Sequence, residues 1–194
     1  MDFFMKMGGF SLIEIMISSF ILALGLLGLA GMQSTAVKSA IEIQQRTLAN
    51  SLASDLSERM QLNRVWLQEA GNDYTIDSLM SAYLTVPSCV AVGGVFDNCS
   101  GEDIKNNDLY EWKDKFIGAN VVSDAGNNAG LIEADACIEL DAKNRHVIIL
   151  TWFSTIESTD AAAGVAPTEL TFKCGTASAS RRQLMVTTYT GKSL

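Results

Sequence analysis

Proline and histidine are the residues this chain has least of: two prolines, Pro87 and Pro167, and one histidine, His146, among 194 residues. Proline removes a backbone donor and breaks helices. Its absence from Met1 to Trp66 therefore permits one helix through the whole first third. A single histidine, with four cysteines of which none forms C-x-x-C, speaks against a structural zinc site. Basic residues are scarce too, 14 Lys and Arg against 22 Asp and Glu for a net charge of −8. From Val65 to Leu194 nine Lys and Arg stand against 17 Asp and Glu. With no basic patch interleaved with aromatics, general nucleic-acid binding through phosphate neutralisation is not expected. The G-x-S-x-G elbow, the P-loop spacing and the G-x-G-x-x-G spacing are all missing. His146, at the start of an expected strand, reads as a solvent-facing strand-edge residue. The scattered carboxylates read as solubilising. The expectation is no catalysis, no cofactor and no metal.

What is present begins with Gly8–Met32, GGFSLIEIMISSFILALGLLGLAGM. At ~1.5 Å rise per residue, the stretch from Phe10 to Met32 would span ~35 Å, enough for the hydrocarbon core of a bilayer. Membrane lipid is thus its expected surrounding. One carboxylate, Glu14, interrupts the run. An ionised carboxylate in lipid costs several kcal/mol and persists mainly where it has a task. Gly25, Gly28 and Gly31 recur every third residue, which suits either ordinary helix packing or a helix able to loosen locally.

From Gln33 the pattern turns amphipathic without a break. Val37, Ile41, Leu48, Leu52, Leu56 and Met60 step mostly by four, so one helix from about Ser11 to Asn63, ~80 Å long, is expected. A coiled coil is the alternative, but the stripe drifts from a strict heptad and can equally cover a sheet. Glu42 with Arg46 and Asp55 with Arg59 are i,i+4 pairs expected on the wet faces. The length left over suffices for one ordinary domain, residues 64–194. There the reading is a short helix Ser78–Tyr83 and a loop Cys89–Gly101. A helix Asn106–Ile117 follows, capped by Asn106 or Asn107, and then a turn Asp124–Gly130. Strands are expected at Glu133–Leu140, His146–Ser154, Glu169–Cys174 and Gln183–Tyr189, with a hairpin at Lys143-Asn144 and a flexible loop Ser158–Pro167. The sum is an α+β head of three or four antiparallel strands on the long helix.

Cys89, Cys99, Cys137 and Cys174 all follow the apolar run. An even count beyond a membrane segment reads as two disulfides in an oxidising compartment. Three pairings are possible. A short Gly-rich loop favours Cys89–Cys99, which leaves Cys137–Cys174.

Gly9-Phe10-Ser11-Leu12-Ile13-Glu14, followed by the apolar run, resembles the class III signal of type IV prepilins and pseudopilins. The continuation IEIMISSFILALGLLGLAGMQ and the later LASDLSERMQLNR resemble the PilV group of minor pilins. Leu109-Tyr110-Glu111-Trp112 after a cysteine pair adds to the likeness, which runs well from Gly8 to about Arg64 and loosely beyond. It implies a leader at residues 1–9, the membrane half of the helix at 10–32, its spine half at 33–63 and a periplasmic head at 64–194. The small residues precede the apolar run, the reverse of an ordinary secretory signal, so a cut after Gly9 leaves the helix on the mature chain. By that resemblance Gly9 is read by the prepilin peptidase and Phe10 becomes the N-methylated amino terminus. The chain then waits in the inner membrane as a single-pass protein. The inner-membrane assembly machinery next places it in a pilus beside other major and minor pilins.

Glu14 then acquires a task. At an effective dielectric of ~20, opposite charges ~4 Å apart attract by ~4 kcal/mol before desolvation is subtracted. Pairing of Glu14 with the Phe10 amine of a neighbouring subunit would set the stagger of assembly; within one helix the two groups are a turn apart, so self-pairing is the alternative. The function implied is pilus biogenesis or priming, with adhesion, twitching or DNA uptake as uses. A type II secretion pseudopilin shares the same amino terminus. A signal-anchored periplasmic enzyme or binding protein is the alternative of another class.

Overall fold

The computed structural model describes residues 11–84, 99–121 and 129–191. The elements run α1 (Leu12–Leu62), α2 (Arg64–Leu67), α3 (Gly101–Ile117), β1 (Asp135–Leu140), β2 (His146–Phe153), α4 (Leu170–Lys173) and β3 (Arg181–Thr188). Helix α1 has 51 residues and passes through two compact units, one up to Ile41 and one from Glu42.

In the first unit α1 is exposed on every side, and it is apolar up to Met32. In the second unit it is amphipathic. Ala49, Leu52, Ala53, Leu56 and Met60 recur at three- and four-residue steps and are buried, the spacing that puts them on one face. Of the expected stripe, Leu52, Leu56 and Met60 are buried, Leu48 is half-buried, and Val37 and Ile41 are exposed.

The sheet has three strands in the order β1-β2-β3, both pairs antiparallel. The fold is therefore α+β, a long amino-terminal helix whose later part packs on a three-stranded antiparallel sheet. Strand β2 lies in the centre and is covered on both faces, which accounts for its nearly unbroken apolar run HVIILTWF. Its inward side chains, Ile148, Leu150 and Trp152, join Ala136 and Ile138 of β1, the α1 stripe, and Leu109, Trp112 and Phe116 of α3 in one core. On the other face, Val147 and Ile149 meet Cys137, Cys174 and Leu170.

Several expectations change. His146 is not a solvent-facing edge residue; it is fully buried, edge-on to Tyr74 with ring centroids 6.4 Å apart. It begins the central strand, so both of its sides are covered. Glu169–Cys174 is not a strand: Leu170–Lys173 makes one helical turn. The Arg181 guanidinium collects the carbonyls of Phe172 and Cys174 there, and this contact overrides the strand propensity of Thr171 and Phe172. Ser78–Tyr83 is a single turn clamped on β1, because Ser78 Oγ donates to Asp135 and the Leu79 amide donates to Ala136 O. Helix α3 starts at Gly101, with Ser100 and Asp103 forming a capping box, and not at Asn106.

The loop expected to be flexible, Ser158–Pro167, is tied down. Ala162 is fully buried, and Asp160 accepts from Arg181 Nε at 2.8 Å and from the amides of Ala162 and Ser178. The hairpin holds, with Asn144 in the left-handed region at φ 55°. Most of Cys89–Gly101 and of Asp124–Gly130 lies outside the described residues.

Candidate functional site

Gly9 and Phe10 lie outside the described residues. Glu14 sits in the first turn of α1, exposed, among Leu12, Ile13, Ile15, Met16 and Ile17, all exposed. Its amide donates to Ser11 O at 3.0 Å. The polar groups that follow are satisfied within the helix: Ser18 Oγ donates to Glu14 O at 2.7 Å and Ser19 Oγ to Met16 O at 2.9 Å. Such back-bonding is what a hydroxyl needs in an apolar setting. Glu14 is thus the one side chain of the stretch 12–32 that carries a formal charge. Among the described residues α1 is the one helix long and apolar enough to cross a membrane. Nothing lies within 4 Å of where a Cβ would stand on Gly25, Gly28 or Gly31. No contact inside the chain therefore requires glycine there, and what the small residues offer is close approach by another helix.

The head carries its own concentration of charge beside α1 and α3. Arg59 bonds Asp55 through Nε at 3.2 Å, and Asp108 and Glu111 through Nη1 at 3.0 Å each. Asp55 also takes Lys115 Nζ at 3.0 Å. Beneath them, the buried Tyr74 hydroxyl donates to Asp108 Oδ2 at 2.8 Å and receives Asn63 Nδ2 at 3.0 Å. Burial pushes the Asp108 carboxyl above the usual range, with the Tyr74 and Arg59 bonds opposing it. Burial works against the Arg59 cation, but the Asp55, Glu111 and Asp108 carboxylates together hold it protonated beyond its ordinary value. The Tyr74 phenol is pushed upward, first by burial. The network pins three segments, α1, the 72–76 stretch and α3, at one point.

A groove of about 520 Å³ opens over this network, with Leu62 and Ile104 as apolar walls and the exposed Glu58 at its rim. The expected Asp55–Arg59 pair is present. The expected Glu42–Arg46 pair is not: Glu42 instead bonds Arg182 Nε at 3.2 Å and accepts from the Ser154 hydroxyl, tying α1 to β2 and β3. Sequence reasoning also missed Tyr74, Asp108 and Arg181, since each takes its partner from a distant part of the chain.

Of the four cysteines, Cys137 and Cys174 are joined, with Cα atoms 5.9 Å apart. Cys99 is disulfide-bonded, and Cys89, its expected partner, lies outside the described residues. No three His, Cys, Asp or Glu among the described residues converge as a metal ion would require.

Compared with known families, residues 4–30 match the prokaryotic N-terminal methylation motif. No curated protein and no solved structure matches the chain.

Proposed function

We propose that this chain is a minor pilin of the PilV kind: cut after Gly9 by a prepilin peptidase, methylated at Phe10, and assembled with other pilins into a type IV pilus. Its role is assembly and interaction, not catalysis. The observation that carries this reading is that the methylation motif at residues 4–30 overlaps the start of α1, and that the later part of this helix packs as the spine of an α+β head. A motif of this kind on an unrelated anchor would have no reason to be followed by an amphipathic continuation that covers a sheet. The exposed apolar surface of the first unit suits lipid first and helix neighbours later. On this reading Glu14, the lone charge in 12–32, meets the Phe10 ammonium of an adjacent subunit.

Mass spectrometry of the mature protein tests the reading directly, and a chain beginning at methylated Phe10 is the expected result. Gly9→Val should leave the full-length mass, and an unaltered mature mass in that variant would overturn the proposal. Glu14→Ala should keep the protein in the membrane yet lower its recovery in sheared pili at least tenfold. A pseudopilin of a type II secretion system would give the same mature terminus. Recovery in pilus preparations, or its absence there, separates the two.

A further inference from the structure

Strand β3 is an edge of the sheet, and its outer side is unpaired over a short, bounded stretch. The ladder to β2 pairs Arg181–Thr188 with His146–Phe153. Backbone groups alternate in direction along an antiparallel strand. Here the Ser154 amide meets Ser180 O across the ladder, and the Ala161 amide meets Arg181 O from outside. The amides and carbonyls of Arg182, Leu184, Val186 and Thr188 therefore point to β2, and those of Gln183, Met185 and Thr187 point outward. Among the described residues these outward N–H and C=O groups have no hydrogen-bond partner. The vacancy is closed at both ends: the Ala161 amide takes Arg181 O at 3.3 Å, and Gln61 Nε2 takes Tyr189 O at 2.6 Å.

Sheet edges are ordinarily blunted by charge, by proline or by a bulge. This one is not. Residues 183–191 carry no charged side chain and no proline. Met185, 53% exposed, and Thr187, also exposed, lie opposite Ile149 and Val147, on the face away from α1. The outer edge of β1, by contrast, is occupied: Ile76 exchanges two bonds with Ile138, and the Leu79 amide donates to Ala136 O. We propose that the 183–187 edge of β3 receives an extended, uncharged segment of a different protein, which joins the sheet as a fourth strand.

A second copy of this chain does not fit. Glu42 reaches Arg182 at 3.2 Å and Gln61 reaches Thr188 at 3.3 Å, so α1 runs alongside β3 in the same direction. Antiparallel pairing of two β3 edges would make the later parts of the two α1 helices run in opposite directions. Chains anchored in one membrane, as the prepilin reading has them, stand parallel. Parallel pairing would set Arg181 and Arg182 of both copies side by side, like charges together. The β1 edge of a copy is already taken at Ala136 and Ile138. The occupant's chemistry follows from the edge itself. Its outward groups repeat every ~6.8 Å, at ~3.4 Å per residue, the spacing of one side of an extended backbone. Main-chain bonds of this kind give affinity, and alternate side chains give selectivity. A charge placed beside Met185 would meet no counter-charge on the strand, so the segment is neutral there, with an apolar residue against the methionine.

The test reads backbone amide hydrogen exchange, residue by residue, in two samples of the full-length chain: the cell-envelope fraction, and the chain purified in detergent. The Gln183, Met185 and Thr187 amides should exchange at least about tenfold more slowly in the envelope, the protection a new strand ladder confers. Leu184, Val186 and Thr188, bonded to β2 in both samples, should keep their rates. Met185→Pro deletes the central outward N–H without removing a bond to β2. In the envelope it should return Gln183 and Thr187 to the detergent rate and leave Leu184 and Val186 protected. If that substitution loosens β3, the two unaltered samples decide by themselves. Outward amides that exchange alike in both samples, or slowing shared by the inward ones, overturns the proposal. Benzoylphenylalanine in place of Thr187 then identifies the occupant. A cross-link into a segment of a different protein is expected, and one into β3 of a second copy overturns the proposal. The mature mass is read in the same samples. Correct processing with fast outward amides rejects the fourth strand alone, whereas an unprocessed chain rejects the prepilin reading.

Discussion

The Tyr74 hydroxyl stands between an amide donor, Asn63, and a carboxylate acceptor, Asp108, both buried. Removing it leaves Asp108 Oδ2 without a donor inside the protein, a loss that typically costs ~1–3 kcal/mol. Tyr74→Phe should therefore lower the stability of the solubilised protein by ~1–3 kcal/mol, measured by denaturant or thermal unfolding near neutral pH. The pH dependence has a definite sign. Burial raises the Asp108 proton affinity in the folded state, so its contribution worsens as pH rises above the ordinary carboxylate range. Tyr74→Phe deepens that penalty, and its cost should shrink at pH ~3, where Asp108 is protonated both folded and unfolded. Nothing near Tyr74 in the sequence announces this role. Its partners are 11 and 34 positions away, and only the packing of α1 against α3 brings them together.

Elements were legible where their pattern was long and repeated. A 51-residue helix shows in the apolar run, the four-step stripe that follows it and the absence of proline across both, and the central strand shows in an apolar run too short for a helix. Short segments were not, because tertiary contacts outvote local preference within four residues. Leu170–Lys173 turns under the Arg181 guanidinium, and the 158–167 loop is held by Asp160. Burial works against the Asp160 carboxylate, yet the bonds from Arg181, Ala162 and Ser178 bring it below the ordinary value of 3.8. A carboxylate lowered in this way stabilises the fold above its unfolded value, and that contribution is lost as pH falls through the folded one. Asp160→Asn should thus lower the melting temperature at pH 7, and the effect should shrink steadily as the pH is taken below the ordinary value of 3.8. An effect that does not change with pH would assign Asp160 a purely steric role.

For the molecule as a whole, the Cys137–Cys174 bond joins β1 to the end of α4 across 37 positions, on the sheet face away from α1. Closing a loop of that length typically stabilises by 2–4 kcal/mol. Replacing both cysteines by serine should lower the stability of the head by about that amount, measured by denaturant unfolding of the solubilised protein.

The sequence by itself determined the elements that depend on neighbours along the chain: the apolar span with its carboxylate, the long helix and the α+β class. Each rests on spacing, and spacing is local. Only the tertiary structure decided what depends on distant partners. It buried His146 in the central strand, took Glu42 from Arg46 and gave it to Arg182, and gathered Asp55, Asp108 and Glu111 around Arg59. The physical reason is that ion pairs and buried hydrogen bonds are chosen by distance in space, and periodicity fixes which face a residue occupies but not what that face will meet.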